Sequence, residues 1–195
     1  MADTFTNEDI LQQMLKHAGG SERTHGVGGW NVSPETILDA MSKIAWHESR
    51  GVPTAVQETL EGGRGQGRGL YQYSAGEDKG GHLAIDRAIR YFELNNPEIG
   101  VPQWLTDEMD AGWPYDISDL DTTQQSILFL ADKMKDETAN MSQIGTDEGL
   151  AEFWLDEHWA GPPKDRDAKL EAWNTSMGVY KDTLLDQLFP KSNAP

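Results

Sequence analysis

Between Ser33 and Arg50 the apolar residues Ile37, Met41 and Ile44 recur at helical spacing, and the next position in that series is Glu48. A carboxyl group on the inward stripe of a helix, in its last turn, meets two unfavourable fields. Burial penalises its charged form, and the partial negative charge of the helix C-terminus repels it. Both push the pKa upward. A carboxylic acid that keeps its proton near neutral pH can give that proton to a glycosidic oxygen. The competing reading of the same residue is an ion pair with Arg50, Arg64 or Arg68.

A second stretch with chemical potential is GGRGQGRGLYQY, Gly62 to Tyr73. Three uses fit a run of glycine and arginine: a phosphate cradle, an RNA-binding box, or a backbone wall beside a flatter ligand. The formal net charge of −17 repels nucleic acid and anionic membranes. The patterns G-x-x-x-x-G-K-[ST] and G-x-G-x-x-G are both absent, and no β-rich run precedes the glycines. The backbone wall remains. Glycines let N–H and C=O groups approach a ligand closely. Read as an extended stretch in which Tyr71 and Tyr73 alternate, the segment is expected to let one ring face the ligand while the other packs. The chain has no cysteine and five scattered histidines without ligand spacing, so neither disulfide, metal centre nor cofactor is expected.

The elements that must carry these residues read as helices. The first is predicted from Asn7 to His17, ending at Gly19-Gly20. The second starts at Ser33 as N-cap, with Pro34 at its first position and Glu35 in its first turn, and ends at Arg50-Gly51. A third spans His82 to Leu94. The connection 95–121 is long for a loop and is predicted to hold a short helix near QWLTDEM. A fourth helix begins near Thr122 and carries Ile127, Leu130, Ala131 and Met134. A fifth, capped by Thr146, runs through LAEFWLDEHW to Gly161. The last is predicted as one helix from Asp167, with Leu170, Trp173, Met177, Tyr180, Leu184 and Leu188 on a single stripe. The expected fold class is mainly α, one domain of 195 residues with a small β or irregular cleft wall around 62–75. Residues 1–32 are expected as an N-terminal helix and loop serving as a docking segment, 33–190 as the catalytic domain, and 191–195 as a tail. No run approaches the roughly 18 apolar residues of a membrane span, and the N-terminus lacks the basic and apolar regions of a signal peptide.

Three blocks in order carry a resemblance to a known family. ESRGVPTAVQ, Glu48 to Gln57, is similar to the first signature of the lytic transglycosylases of the goose-lysozyme-like superfamily, with Glu48, Ser49, Pro53, Ala55 and Val56 at matching offsets. Gly69-Leu70-Tyr71-Gln72 resembles their Gly-Leu-Met-Gln. HWAGP, His158 to Pro162, resembles their aromatic-Asn-Ala-Gly-Pro. The chain departs from the pattern at Gly51, where an aromatic is usual, at Gln57 for Ser, at Tyr71 for Met, and at His158 and Trp159 for Tyr and Asn. The resemblance covers residues 34 to 185.

That resemblance implies a lysozyme-like fold and a peptidoglycan-cleaving activity at the MurNAc–GlcNAc bond. It implies one catalytic residue, Glu48, acting as acid and then base, where ordinary glycosidases use two carboxylates. Ser49 is implied to orient Glu48 or the substrate N-acetyl group, Gly69, Leu70, Tyr71 and Gln72 to contact sugar, and His158 and Trp159 to line the opposite wall. A hydrolytic variant needs a second carboxylate, for which Glu58, Glu61, Glu77 and Asp78 are the nearest candidates; their other reading is solvated loop charge. Phe153 and Trp154 are expected in the core, and Trp104 and Trp113 as either sugar platforms or packing residues. An alternative to an enzyme is a non-catalytic structural or wall-binding protein that retains the fold. Peptidoglycan carries carboxylates, so a charge of −17 gives a free hydrolase no attraction to it. The charge points instead to delivery by a larger assembly: a bacteriophage virion, with tail or internal proteins as partners through residues 1–32, or else host cytoplasm before release at lysis.

Overall fold

The computed structural model describes residues 5–22, 28–58, 64–74, 80–111, 117–135, 141–159, 163–181 and 183–189. Among them the chain is mainly α-helical with a small antiparallel sheet, as the periodicities predict. The first helix, α1 (Asn7–Gly19), opens on a capping box in which Thr6 Oγ1 accepts from the Asp9 N–H and the Asp9 carboxylate accepts from the Thr6 N–H. Its face Ile10, Leu11, Met14, Leu15 and Ala18 is buried in the same core as the rest of the molecule. The apolar stripe of α1 is thus occupied within the molecule, which leaves its polar face as the exposed one.

The next helix, α2 (Pro34–Ser49), begins as expected, with Ser33 Oγ accepting from the Thr36 N–H at 3.1 Å and Pro34 in the first turn. It buries Ile37, Met41, Ile44 and Ala45. The chain leaves α2 through two left-handed residues, Arg50 at φ 59° and Gly51 at φ 76°. A Cβ on Gly51 would lie 2.5 Å from Leu184 Cδ1, so any side chain here requires Leu184 to shift as well as a strained φ.

Three short strands follow, β1 (Val56–Glu58), β2 (Arg64–Arg68) and β3 (Tyr73–Ser74), paired antiparallel in that order. Val56 pairs with Arg68 and Glu58 with Arg64, with an irregularity between them, and Arg68 pairs with Tyr73. GLYQ is therefore the turn between β2 and β3 and not an extended stretch. Gly69 at φ 72° and Gln72 at φ 49° make the reversal.

Helix α3 (Gly80–Asn95), helix α4 (Gln103–Ala111) and helix α5 (Thr122–Lys135) complete the central layer. α5 runs through the middle, with α1 and α3 against it. Residues 126–131 of α5 are buried on every face, which is how a helix that is apolar all round is accommodated. Thr146 caps α6 (Asp147–Phe153) as predicted, but the helix then changes form: residues Trp154–Trp159 are a π-helical segment. The stripe predicted as one last helix is two, α7 (Arg166–Met177) and α8 (Thr183–Leu188). Between them Val179 and Tyr180 donate to Ser176 and Met177 in three-residue closures, and the Tyr180 hydroxyl meets Ser42 Oγ of α2 at 3.0 Å. That break lets Leu184 and Leu188 turn back onto α2. Among the described residues no helix is long and apolar enough to cross a membrane.

Candidate active site

Glu48 sits in the last turn of α2 with 19% of its side chain exposed. The Trp154 indole N–H donates to its Oε1 at 2.6 Å. Burial is the largest influence on its ionisation and pushes the pKa up to about 7, against the opposing effects of the Trp154 bond and the Lys169 charge. The ion pair with Arg50 is not formed: the Arg50 guanidinium donates to Ser176 Oγ and the Trp46 carbonyl and lies over the Trp46 ring. Arg68 donates to the Gly67 carbonyl, and the Arg64 side chain lies outside the described residues. Oε2 accepts no hydrogen bond from the described residues, and 19% of the side chain is exposed. The site therefore offers one carboxylic acid with one oxygen tied by an indole and the other unengaged by the described residues.

His158 stands beside it. Its Nε2 is 2.8 Å from the Tyr71 carbonyl oxygen and 3.9 Å from Glu48 Oε1. A carbonyl can only accept, so Nε2 carries the proton. Burial holds the imidazole neutral, with a pKa pushed down to about 3. The approach of His158 to Glu48 is thus a dipole contact and not an ion pair. His158, expected on the wall opposite the glycine-rich stretch, is almost fully enclosed beside Glu48.

The Gly69–Gln72 turn is held close by a residue the sequence reading missed. Gln125 of α5 accepts the Leu70 N–H at 2.7 Å and donates to the carbonyls of Pro53 and Leu120 at 2.9 and 2.7 Å. It joins the loop after Glu48 to the turn. A Cβ on Gly69 would meet Gln125 Oε1 at 2.3 Å, so glycine is required there on grounds of space as well as of φ. The Gly69 N–H bonds the Ala55 carbonyl, and the Gln72 side-chain amide donates to the Gly69 carbonyl at 2.8 Å.

The sugar-contact role expected of the Tyr71 and Leu70 side chains is corrected by their burial. Leu70 is enclosed, and the Tyr71 ring stacks on Phe129 at 4.2 Å with its hydroxyl on Ser126. Tyr73 is buried too, its hydroxyl donating to Asp132, which also pairs with Arg87 and Lys133. The alternation rule fails because residues 69–72 form a turn. What Tyr71 brings to the site is its carbonyl. Ser49 Oγ donates to the Ala45 carbonyl of its own helix at 2.9 Å, so its proton is not directed at Glu48. Trp159 is half-buried, stacked over Trp154 at 6.4 Å, with Lys169 Nζ 5.5 Å from its ring centroid. Trp104 donates to Asn7 and packs α4 on α1, away from Glu48.

Phe153 and Trp154 are in the core as expected, but Trp154 also makes the closest contact to Glu48. The signal was present in the spacing: Trp154 and His158 are four apart and share a helical face. Glu61, Glu77, Asp78, Trp113, residues 160–162 of the third block and the tail 191–195 lie outside the described residues, as does the side chain of Glu58. Among the described residues no three His, Asp or Glu side chains converge as a metal set. No protein-family model, no curated protein and no solved structure matches this chain.

Proposed function

We propose that the protein cleaves the MurNAc–GlcNAc bond of peptidoglycan, with Glu48 as the single acid and base, in the manner of the lytic transglycosylases its sequence blocks resemble. One observation carries the reading. The three blocks, distant in the chain, meet at one carboxyl group: Glu48 from the first, the Tyr71 carbonyl from the second, and His158 from the third, which touches both. A group with a pKa of about 7 is protonated often enough to act as an acid and ionised often enough to act as a base at neutral pH.

In this mechanism Glu48 gives its proton to the glycosidic oxygen, and the C1–O bond breaks with its electron pair going to that oxygen. The substrate's own N-acetyl carbonyl stabilises the cationic carbon. The Glu48 carboxylate then takes the proton of the muramyl 6-hydroxyl, whose oxygen closes on C1 to form the anhydro ring. Delivery by a phage particle accounts for the acidic surface, and detection of the polypeptide in purified virions tests that part.

Digestion of purified sacculi, with mass spectrometry of the released muropeptides, tests the chemistry. Ends lighter by one water are expected; hydrated ends assign a muramidase instead. Glu48→Gln, which keeps the shape and removes the proton, is expected to lower the cleavage rate by about 10²–10⁴-fold or more. Clearing that survives the substitution moves the chemistry away from Glu48, and an inert wild-type chain leaves the non-catalytic alternative.

A further inference from the structure

Glu48 has two oxygens, and proton delivery requires that one of them carry the proton and be held in place. Trp154 answers both. An indole nitrogen is a donor only, so the oxygen 2.6 Å from it must present a lone pair. The acid proton then belongs on the other oxygen, Oε2, which no described residue engages. A carboxyl group with two equivalent free oxygens would populate several rotamers, and few of them would be productive.

The indole cannot turn away. Trp154 is buried to 1% exposure, with Trp173 stacked at 5.1 Å on one side and the edge of His47 at 4.4 Å. The neighbouring ring Trp159 is placed by the π-helical form. In an α-helix residues five apart point about 140° away from each other. Closure by i→i+5 bonds brings them over one another, and Trp159 stacks on Trp154 at an interplanar angle of 26°. The same segment points His158 at the Tyr71 carbonyl. It is anchored from outside by Arg166, whose guanidinium bonds Glu152 of α6 and Asp156 of the π-helical segment.

We propose that Trp154 is the positioning residue of this site: held by the π-helical turn, its N–H fixes Glu48 Oε1 as an acceptor and leaves Oε2 to carry and deliver the proton. The delivery half rests on the proposed function; the hydrogen-bond half does not. Among the described residues, the titratable groups nearest Glu48 are two histidines and a lysine. His47 on its own helix and His158 in the π-helical segment are both held neutral by burial, and Lys169 of α7 is positive.

The test is a nitrogen-15 NMR titration of the tryptophan indoles in the full chain, beside the activity of Trp154→Phe, which keeps a ring and removes the donor. In the wild type the Trp154 indole resonance is expected to shift with a midpoint near the Glu48 value of about 7, and Glu48→Gln abolishes that shift. In Trp154→Phe the Glu48 carboxyl, followed by carbon-13, titrates at higher pH, because the lost bond favoured the ionised form. The alkaline limb of the cleavage profile moves up with it, while kcat falls on the order of 100-fold with KM little changed. An indole resonance that ignores Glu48, or a Trp154→Phe protein with an unchanged Glu48 midpoint and unchanged kcat, overturns the inference. Should Trp154→Phe not fold, the wild-type titration alone decides. A coupled titration in a protein inert on sacculi overturns the functional reading and leaves the hydrogen-bond arrangement standing.

Discussion

Glu48 is a residue whose local position, at a helix end and on an inward stripe, works against its charge, and that conflict has a measurable consequence apart from any activity. Its pKa is about 7 in the folded chain, against an ordinary 4.5. Between those two pH values the unfolded chain has released the proton and the folded chain still holds it, so wild-type stability falls as pH rises through the window and levels off above it. Glutamine has no proton to lose there. Glu48→Gln is therefore expected to be more stable than wild type, by an amount that is absent near pH 4 and grows to about 3 kcal/mol above pH 7. Urea unfolding at a series of pH values measures it, and a constant difference across the window contradicts the burial argument. The carboxyl itself was legible in the sequence because helical spacing is a one-dimensional property. Its partner Trp154 was read only as core, because whether a buried indole N–H finds an acceptor depends on ring orientation, which spacing does not encode.

At the scale of elements, the loop after α2 and the turn between β2 and β3 are held in register by backbone bonds and by Gln125, and neither tolerates bulk. Gly51 is the clearest case. Its φ of 76° disfavours any side chain, and Leu184 of α8 fills the space a Cβ would need. Gly51→Phe, which introduces an aromatic at this position, is expected to destabilise the fold by roughly 2–5 kcal/mol through strain and overpacking. Thermal unfolding checks it; a melting temperature within a degree or two of wild type would mean that α8 is not seated on this loop. The break between α7 and α8 follows the same logic. The apolar stripe from Leu170 to Leu188 continues in sequence, and a straight helix would satisfy its periodicity. Leu184 and Leu188 instead cover α2 and Gly51, which a straight continuation of α7 does not do.

For the molecule as a whole, one core joins α1 to the rest. α1 contributes five buried residues, and His17 of α1 bonds the Tyr91 hydroxyl of α3 at 3.0 Å. Removing residues 1–20 strips that face from α5 and α2. At about 1.5–3 kcal/mol for each large apolar side chain returned to water, the loss is comparable with the whole stability of a domain. The truncated chain is expected to show no cooperative thermal transition by circular dichroism. A docking appendage would be dispensable, so a truncation that melts like wild type would assign that role to α1. The net charge of −17 is also a whole-molecule property. Under the proposed function it disfavours unaided approach to an acidic polymer, and it has no bearing on the fold.

The sequence alone determined the helices whose caps and stripes are local: Thr146 and Ser33 at their N-caps, the buried faces of α2 and α5, and Glu48 as an acid against its surroundings. These depend on neighbours three or four residues away, which a linear reading contains. The tertiary structure decided the rest: that GLYQ turns instead of extending, that Tyr71 packs on Phe129, that α6 widens into a π-helical turn, and that an indole meets the carboxyl group. Each of these depends on atoms far apart in the chain competing for the same space, and that competition is settled only when the core closes.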